Sequence, residues 1–339
     1  MRTKIVISFT ALACVFAASM IVASIAVSAA GPPPWAYGFP AAPGVDVPAA
    51  PASTPPASVP DTTVHHIEGS DRGFTRAQVG DNYGPADWFP GDHPAMPEIV
   101  SHGRKEAMIA ACMLCHYPNG RGKPENAPVA GLSVSYFIQT MHDFRDGKRA
   151  SADTRKANTG RMAGFVKVMT EEEIKASAEY FAAIPYGTWM TKVVETTTVP
   201  KTRLNFGMFV TLPGGEKEPI AGRLIETPID PEATEVLRNP HSGMIVYTPP
   251  GSVKKGEALV KNGGGRTQAC AQCHGADLRG LGPVPPIAGR SPSYMARQMY
   301  DMQQGTRKGE WSALMKPVVE KLTGDDFIAI TAYLATLKP

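Results

Sequence analysis

The pattern of hydrophobic and polar positions predicts a mainly helical chain with a β-rich middle. Two segments, Glu171–Ile184 and Gly324–Leu337, place apolar residues at helical spacing. Each follows a threonine that precedes acidic residues, which is a favourable helix N-cap. Between these helices, β-branched and apolar runs predict strands of a small insert that includes a hairpin. The runs are Thr191–Val199, Met208–Leu212, Pro219–Thr227 and Met244–Tyr247.

The first 30 residues predict export from the cytoplasm. Arg2 and Lys4 precede an uncharged, largely apolar stretch over residues 5–30, which ends in the small residues of a signal-peptidase site. We expect a periplasmic protein cleaved near Ala29 or Ala30. Because the stretch is long enough to cross a bilayer, an uncleaved anchor on the periplasmic face of the inner membrane stays open.

Residues 31–60 are rich in proline and alanine, a composition that predicts an extended spacer rather than a core. Residues 61–99 form an N-terminal extension without a clear fold. Three histidines lie in this extension and a fourth follows it: His65, His66, His93 and His102. We expect all four at the surface rather than as metal ligands. The net charge of +3 on 339 residues, without a long basic run, indicates no nucleic-acid partner.

Two copies of Cys-x-x-Cys-His carry the chemistry: Cys112–His116 and Cys270–His274. On a helix the two cysteines and the histidine share one face, so a single turn can supply two thioether bonds and one axial iron ligand. The motifs therefore predict two covalently bound haem c groups, attached at Cys112, Cys115, Cys270 and Cys273. The alternatives are disulfides, a thioredoxin-like site and a zinc site. Zinc knuckles usually separate their pairs by about 15–20 residues, and a redox site needs no adjacent histidine.

An internal repeat divides the chain into two homologous modules. Cys270 lies 158 positions after Cys112, and the same offset aligns Tyr136 with Tyr294 and Arg149 with Arg307. The first half then carries five extra residues within 150–161, after which Met162 aligns with Met315. We expect cytochrome-like modules over 100–185 and 253–339, each with a further helix (Tyr136–Gly147 and Tyr294–Gly305), joined by a β-rich insert over 186–252.

Both modules resemble class I cytochrome c domains, and their tandem resembles the dihaem cytochrome c4 group. The resemblance rests on the haem motifs, Pro285–Gly289, the Gly-x-Arg turns and Met315 before the last helix. It implies His116/Met162 and His274/Met315 as axial pairs on the two irons. Nearby methionines remain rivals: Met141, Met169, Met299 and Met302. The resemblance also implies that a carbonyl orients each histidine, from Pro285 in the second module and from Ala127, in a less rigid turn, in the first.

Two classes of function remain open. The leading one is a periplasmic carrier of single electrons between redox proteins, a dehydrogenase as donor and an oxidase or small cytochrome as acceptor, or the cytochrome subunit of a dehydrogenase. The alternative is a dihaem enzyme such as a cytochrome c peroxidase, which needs a vacant axial position. The extra residues before Met162, together with Ala127, make the first module the likelier place for one. A thiosulfate-type dehydrogenase is disfavoured, because Cys14 in the apolar leader is the only other cysteine. For the insert, a structural brace is favoured over a docking surface.

Overall fold

A computed structural model describes residues 31–40, 62–187 and 191–339. The predicted signal peptide or anchor, Cys14 and most of the proline- and alanine-rich segment lie outside these ranges. Within them, none of the helices combines the length and the apolar character that a bilayer crossing requires.

The described residues are predominantly helical, which confirms the predicted fold class. The α-helices are α1 (Pro34–Tyr37), α2 (Arg76–Val79), α3 (Glu98–Ser101), α4 (Cys112–His116), α5 (Val134–Arg145), α6 (Ala157–Val168), α7 (Glu171–Ala183), α8 (Ser252–Asn262), α9 (Ala271–His274), α10 (Pro292–Gln303), α11 (Lys316–Val319) and α12 (Gly324–Thr336). Shorter 3₁₀ or π turns lie at Pro90–Asp92, Lys105–Ala107, Glu232–Val236, Gly263–Gly265 and Trp311–Met315.

The two predicted terminal helices, α7 and α12, form with the predicted caps. The Thr170 hydroxyl accepts a hydrogen bond from the Glu173 amide, and the Glu173 carboxylate accepts one from the Thr170 amide. Thr323 and Asp326 make the same reciprocal pair at the start of α12. The apolar face of each helix packs into the core of its own module.

Helices α5 and α10 also match the repeat, although they begin before the predicted tyrosines. Ser133 and Ser291 cap them by accepting hydrogen bonds from the Tyr136 and Tyr294 amides. Both helices end just before a glycine with positive φ, 69° at Gly147 and 74° at Gly305. The conserved spacing within the repeat therefore sets equivalent helices in the two modules.

The β-rich insert is confirmed. Its strands are β1 (Thr191–Glu195), β2 (Thr198–Pro200), β3 (Thr202–Asn205), β4 (Met208–Thr211), β5 (Lys217–Pro219), β6 (Ile225–Pro228) and β7 (Met244–Thr248). A three-stranded sheet has the order β1-β7-β6, with β1 parallel and β6 antiparallel to β7, and Val193 lies opposite Val246. β3 and β4 form a hairpin, although β3 lies outside the predicted runs, and β2 pairs with β5. The predicted run Thr191–Val199 is divided, because its two ends pair with different strands.

The insert contacts both modules. On one side, Glu226 in β6 is buried and its Oε2 accepts a hydrogen bond from the Ser291 hydroxyl at 2.8 Å. On the other side, the buried Tyr117 hydroxyl donates to the Thr234 carbonyl at 3.4 Å, and Arg121 donates to the Pro240 carbonyl. These contacts support the interpretation of the insert as a structural brace.

The N-terminal extension packs on the insert and on the first module. Trp88 is 1% exposed, and its indole N–H donates to the Leu237 carbonyl at 2.7 Å. His93 corrects one expectation, because its side chain is 4% exposed rather than at the surface. It lies 3.3 Å from Asp87 and meets the edge of the Tyr180 ring.

The expectation of a spacer over residues 31–60 is wrong for its first ten residues. Trp35, Ala36 and Tyr37 in α1 are buried in the core of the second module. The Tyr37 hydroxyl donates to Asp301 at 2.6 Å, and Arg297 donates to the Ala36 carbonyl at 2.6 Å. Composition misled here because two aromatic side chains and a proline at the first helical position suffice for one docked turn.

Candidate haem sites

The first attachment motif occupies the single turn α4. Cys112, Cys115 and His116 project from this turn, which ends where Tyr117 takes a positive φ of 63°. The His116 Nδ1–H donates to the Ala127 carbonyl at 2.8 Å. This bond fixes the ring and leaves Nε2 as the atom that can bind iron.

The second attachment motif repeats this geometry. Cys270 precedes α9, which carries Cys273 and His274. The His274 Nδ1–H donates to the Pro285 carbonyl at 2.7 Å. Both implied carbonyl contacts are confirmed, and they differ by only 0.1 Å between the modules.

The titration of the motif side chains fits haem attachment better than the alternatives. Burial lowers the pKa of His116 and of His274, which favours neutral imidazoles that can bind iron. Burial raises the pKa of Cys112 to about 12 and that of Cys270 to about 11. Redox-active cysteines have depressed pKa values instead. No cluster of three or more metal-binding side chains occurs among the residues that the structure describes.

An apolar cavity brings the predicted residues of the first module together. Cys112, Cys115, His116 and Met162 all line it. Aromatic and aliphatic side chains supply most of the remaining wall, including Phe137, Phe144, Phe165, Phe181, Val129 and Leu132. The arrangement fits a haem: two attachment thiols, an oriented imidazole and a thioether face one apolar space. Met141 and Met169 line the same cavity, so both rival methionines remain within it.

The second module places three of its four predicted residues against or within its core, and the fourth, Cys273, is exposed. Cys270 and Met315 are partly buried against this core, and His274 is 8% exposed. Met299 and Met302 are buried in the same core from α10, whereas Met315 ends a short 3₁₀ turn. Met315 therefore has a different local setting from Met162, which lies within α6.

The surfaces beside the two attachment motifs differ in exposure, as the residues that follow each motif predict. In the first module Tyr117 is 3% exposed and lies beneath Arg238 and Thr234 of the insert. In the second module Cys273 is exposed. The insert therefore covers the edge of one site and leaves the other open to solvent.

Contacts between the modules were not foreseen from the sequence. The Arg307 guanidinium donates to the Tyr136 hydroxyl at 2.6 Å, and Arg149 donates to the Tyr294 hydroxyl at 3.0 Å. Both arginines also donate to the Gln298 side-chain oxygen. The repeat alignment pairs the two tyrosines with each other and the two arginines with each other, so it marks these positions. Only the fold shows that each arginine bonds the tyrosine of the other module. Tyr294 and Gln298 thereby line the first cavity.

The turn that orients His116 is also held from the second module. Arg290 is 3% exposed and donates to the Pro128 carbonyl at 2.8 Å and to the Ala130 carbonyl at 2.9 Å. These bonds hold the residues that follow Ala127, which replaces the proline of the second module. The turn expected to be less rigid is therefore supported by a buried cation.

Comparison with known proteins agrees with this geometry. The cytochrome c family matches residues 100–184 and 253–338. Cytochrome c4 of Pseudomonas aeruginosa is 23% identical over 238 residues, covering 68% of this chain and 86% of its own length. Cytochrome c-552 of Acidithiobacillus ferridurans is 34% identical over 230 residues, covering 67% and 73%. The thiosulfate dehydrogenase electron acceptor of Thiomonas intermedia is 23% identical over 231 residues, covering 67% and 78%.

The match in both halves and the paired attachment motifs confirm the resemblance to the dihaem cytochrome c4 group. The chain therefore belongs to the cytochrome c family, as a dihaem electron-transfer cytochrome with a covalently attached haem in each module.

Proposed function

We propose that this protein carries single electrons between redox proteins in the periplasm, with His116/Met162 and His274/Met315 as the axial pairs. The observation that carries the proposal is the shared cavity of Cys112, Cys115, His116 and Met162. A haem supplies an iron that gains and loses one electron. Axial pairs that fill both positions leave no place for a substrate.

Packing around Met162 supports the carrier over the peroxidase. The extra residues that precede Met162 are tied to the second module, because the Ala152 amide donates to Asp301 at 2.8 Å. Asp153 in the same segment is 1% exposed and pairs with Arg155 at 2.7 Å. A loop held at these points favours a methionine that stays in place.

Contacts between the modules support electron exchange between the two haems. Side chains of the second module, among them Tyr294 and Arg297, form part of the wall of the first cavity. The exposed Cys273 edge then offers a place for exchange with another protein. Leu281 and Leu314 of the same module are 63% and 75% exposed.

The donor is proposed to be a dehydrogenase, and the acceptor an oxidase or a small cytochrome. One relative is named as the electron acceptor of a thiosulfate dehydrogenase, which supports a donor of that class. Location in the periplasm rests on the N-terminal leader. If the leader is retained, the protein is anchored to the periplasmic face of the inner membrane.

Carbon monoxide and hydrogen peroxide separate the two functions. With both irons six-coordinate, the reduced protein should bind carbon monoxide poorly at neutral pH and consume peroxide no faster than an ordinary cytochrome c. Rapid carbon monoxide binding at one haem, with peroxide turnover that Met162→His abolishes, would establish the peroxidase instead. Met169→Leu serves as the matched control in the same cavity and should change neither measurement.

A further inference from the structure

Lys156 is a buried cation in the wall of the first cavity. The residue is 5% exposed, and its Nζ finds no hydrogen-bonding partner among the residues described. Gly207 of the insert lies against the amine, since a methyl group built there would be 2.9 Å from Nζ. A buried ammonium without a partner is costly, so the position calls for an anion.

The charges of the cavity indicate where that anion belongs. Of the described residues that line it, four are cationic and two are carboxylates, which gives a net charge of +2. They are Arg149, Lys156, Arg161, Arg297, Glu125 and Asp301. A haem c carries two propionate carboxylates, so its charge matches that of the wall.

Several of the other charged groups already have protein partners. Arg297 donates to the Ala36 and Pro124 carbonyls, and Asp301 accepts from Tyr37 and from the Ala152 amide. Glu125 pairs with Lys123 at 2.9 Å. Among these groups, Lys156 is the buried cation whose charged atom has no hydrogen-bonding partner.

The pKa of Lys156 also indicates that its amine lacks a nearby anion. Burial lowers the pKa of Lys156 to about 7, and the charged groups that face it act in both directions. Arg297 from α10 lowers the pKa further, whereas Glu125 and Asp153 raise it. A carboxylate beside the amine would hold the proton in place.

We propose that Lys156 forms an ion pair with a propionate of the first haem, and that this pair raises the reduction potential of that haem. The inference rests on a haem in the first cavity and does not depend on the carrier function. A positive charge beside the haem favours the reduced form, which carries one positive charge fewer.

The second module has no counterpart of this lysine. Lys156 lies within the segment that is five residues longer in the first module. In the shorter segment, 308–314, the cationic residue is Lys308, and it is exposed. The pair would therefore distinguish two haems that otherwise share equivalent ligands.

Redox titration of holoprotein variants tests the proposal. Lys156→Met should lower one of the two potentials, so that the ratio of reduced to oxidised haem at that site falls roughly tenfold at a given applied potential, about 59 mV. Lys156→Arg should restore most of the potential, and Lys167→Met, an exposed lysine on α6, should change it far less. Two unchanged potentials in Lys156→Met would overturn the proposal.

The pH dependence of the two potentials provides a second test. A lysine held by a propionate keeps its proton, so both potentials should stay nearly constant from about pH 6 to about pH 8. In Lys156→Met the unpaired propionate should titrate, and one potential should fall as pH rises. If instead a wild-type potential falls across neutral pH and Lys156→Met removes that dependence, the amine titrates alone and the ion pair does not exist.

Discussion

The two cytochrome modules differ most in the helix that precedes the attachment motif. In the second module α8 has 11 residues and packs against α12 where Gly256 faces Ala329. A methyl group at Gly256 would lie 1.9 Å from the Ala329 carbonyl oxygen, so the two backbones touch. In the first module the corresponding helix, α3, has 4 residues, and Glu98 stands at the position of Gly256.

Segments outside the repeat supply what the first module lacks. The extension binds the start of its motif helix, because the Ala111 amide donates to the Asn82 carbonyl at 2.8 Å. The insert covers Tyr117, and extension and insert are joined through Trp88 and Leu237. Comparison of the modules teaches that a helix crossing can be replaced by a brace from elsewhere in the chain, without loss of the haem-binding geometry.

Trp88→Ala tests the brace most severely. Removing this buried indole should destabilise the first module by roughly 3–5 kcal/mol, with little effect on the second. Thermal unfolding followed by circular dichroism at the haem bands measures this. Val64→Ala, in the exposed part of the same extension, should cost no more than about 0.5 kcal/mol. Unchanged stability of the first module in Trp88→Ala would show that the extension does not stabilise this module.

Gly256→Ala tests the helix crossing of the second module. The added methyl group forces α8 and α12 apart and should cost about 1–3 kcal/mol or more, chiefly in the second module. Gly324→Ala is the matched control, because it lies in α12 with no atom within 4 Å of the added methyl group. Denaturant unfolding compares the two variants. Equal stability would show that the backbones do not meet as described.

Tyr37→Phe tests the docking of α1, where the composition of the chain was misleading. The buried Asp301 carboxylate accepts hydrogen bonds from the Tyr37 hydroxyl and from the Ala152 amide. Loss of the hydroxyl removes the first of these bonds and should destabilise the protein by about 1–3 kcal/mol. Urea unfolding of full-length protein measures the loss. A variant as stable as the wild type would mean that residues 31–40 do not hold the second module.

Glu226→Gln probes the contact between the insert and the second module and should have the smallest effect. Burial raises the pKa of Glu226 above its ordinary value of 4.5, so the folded state holds this proton more firmly than the unfolded state. Its stabilising contribution is complete below the ordinary pKa and is lost as pH rises through the raised one. Glu226→Gln should therefore be more stable than the wild type at neutral pH, by on the order of 1 kcal/mol.

Stability measured against pH decides this prediction. The difference between Glu226→Gln and the wild type should shrink as pH falls from the raised pKa of Glu226 toward the ordinary value of 4.5, and should stay small below it. Exposed Glu310→Gln should show no such difference. A wild type that is as stable as Glu226→Gln at neutral pH would indicate that the carboxylate is well solvated.

The sequence predicted what is local or repeated and missed what the fold brings together. Thr170 and Thr323 predict the starts of α7 and α12, because a capping box involves residues only three positions apart. Tyr136 and Arg307 aligned with their equivalents, yet their pairing across modules depends on tertiary structure. The sequence did not mark Lys156 as a site residue, because it lies in the segment 150–161, where the two modules differ in length and do not align.

The near-infrared absorption of the ferric protein tests the central claim, two haems each bound by histidine and methionine. The wild type should show the band of methionine-ligated ferric haem with the intensity of two centres. Met162→Ala and Met315→Ala should each remove half of it, and the pair of substitutions should remove it completely. A band that persists in full in either single variant would contradict the assignment for that module and point to a neighbouring methionine.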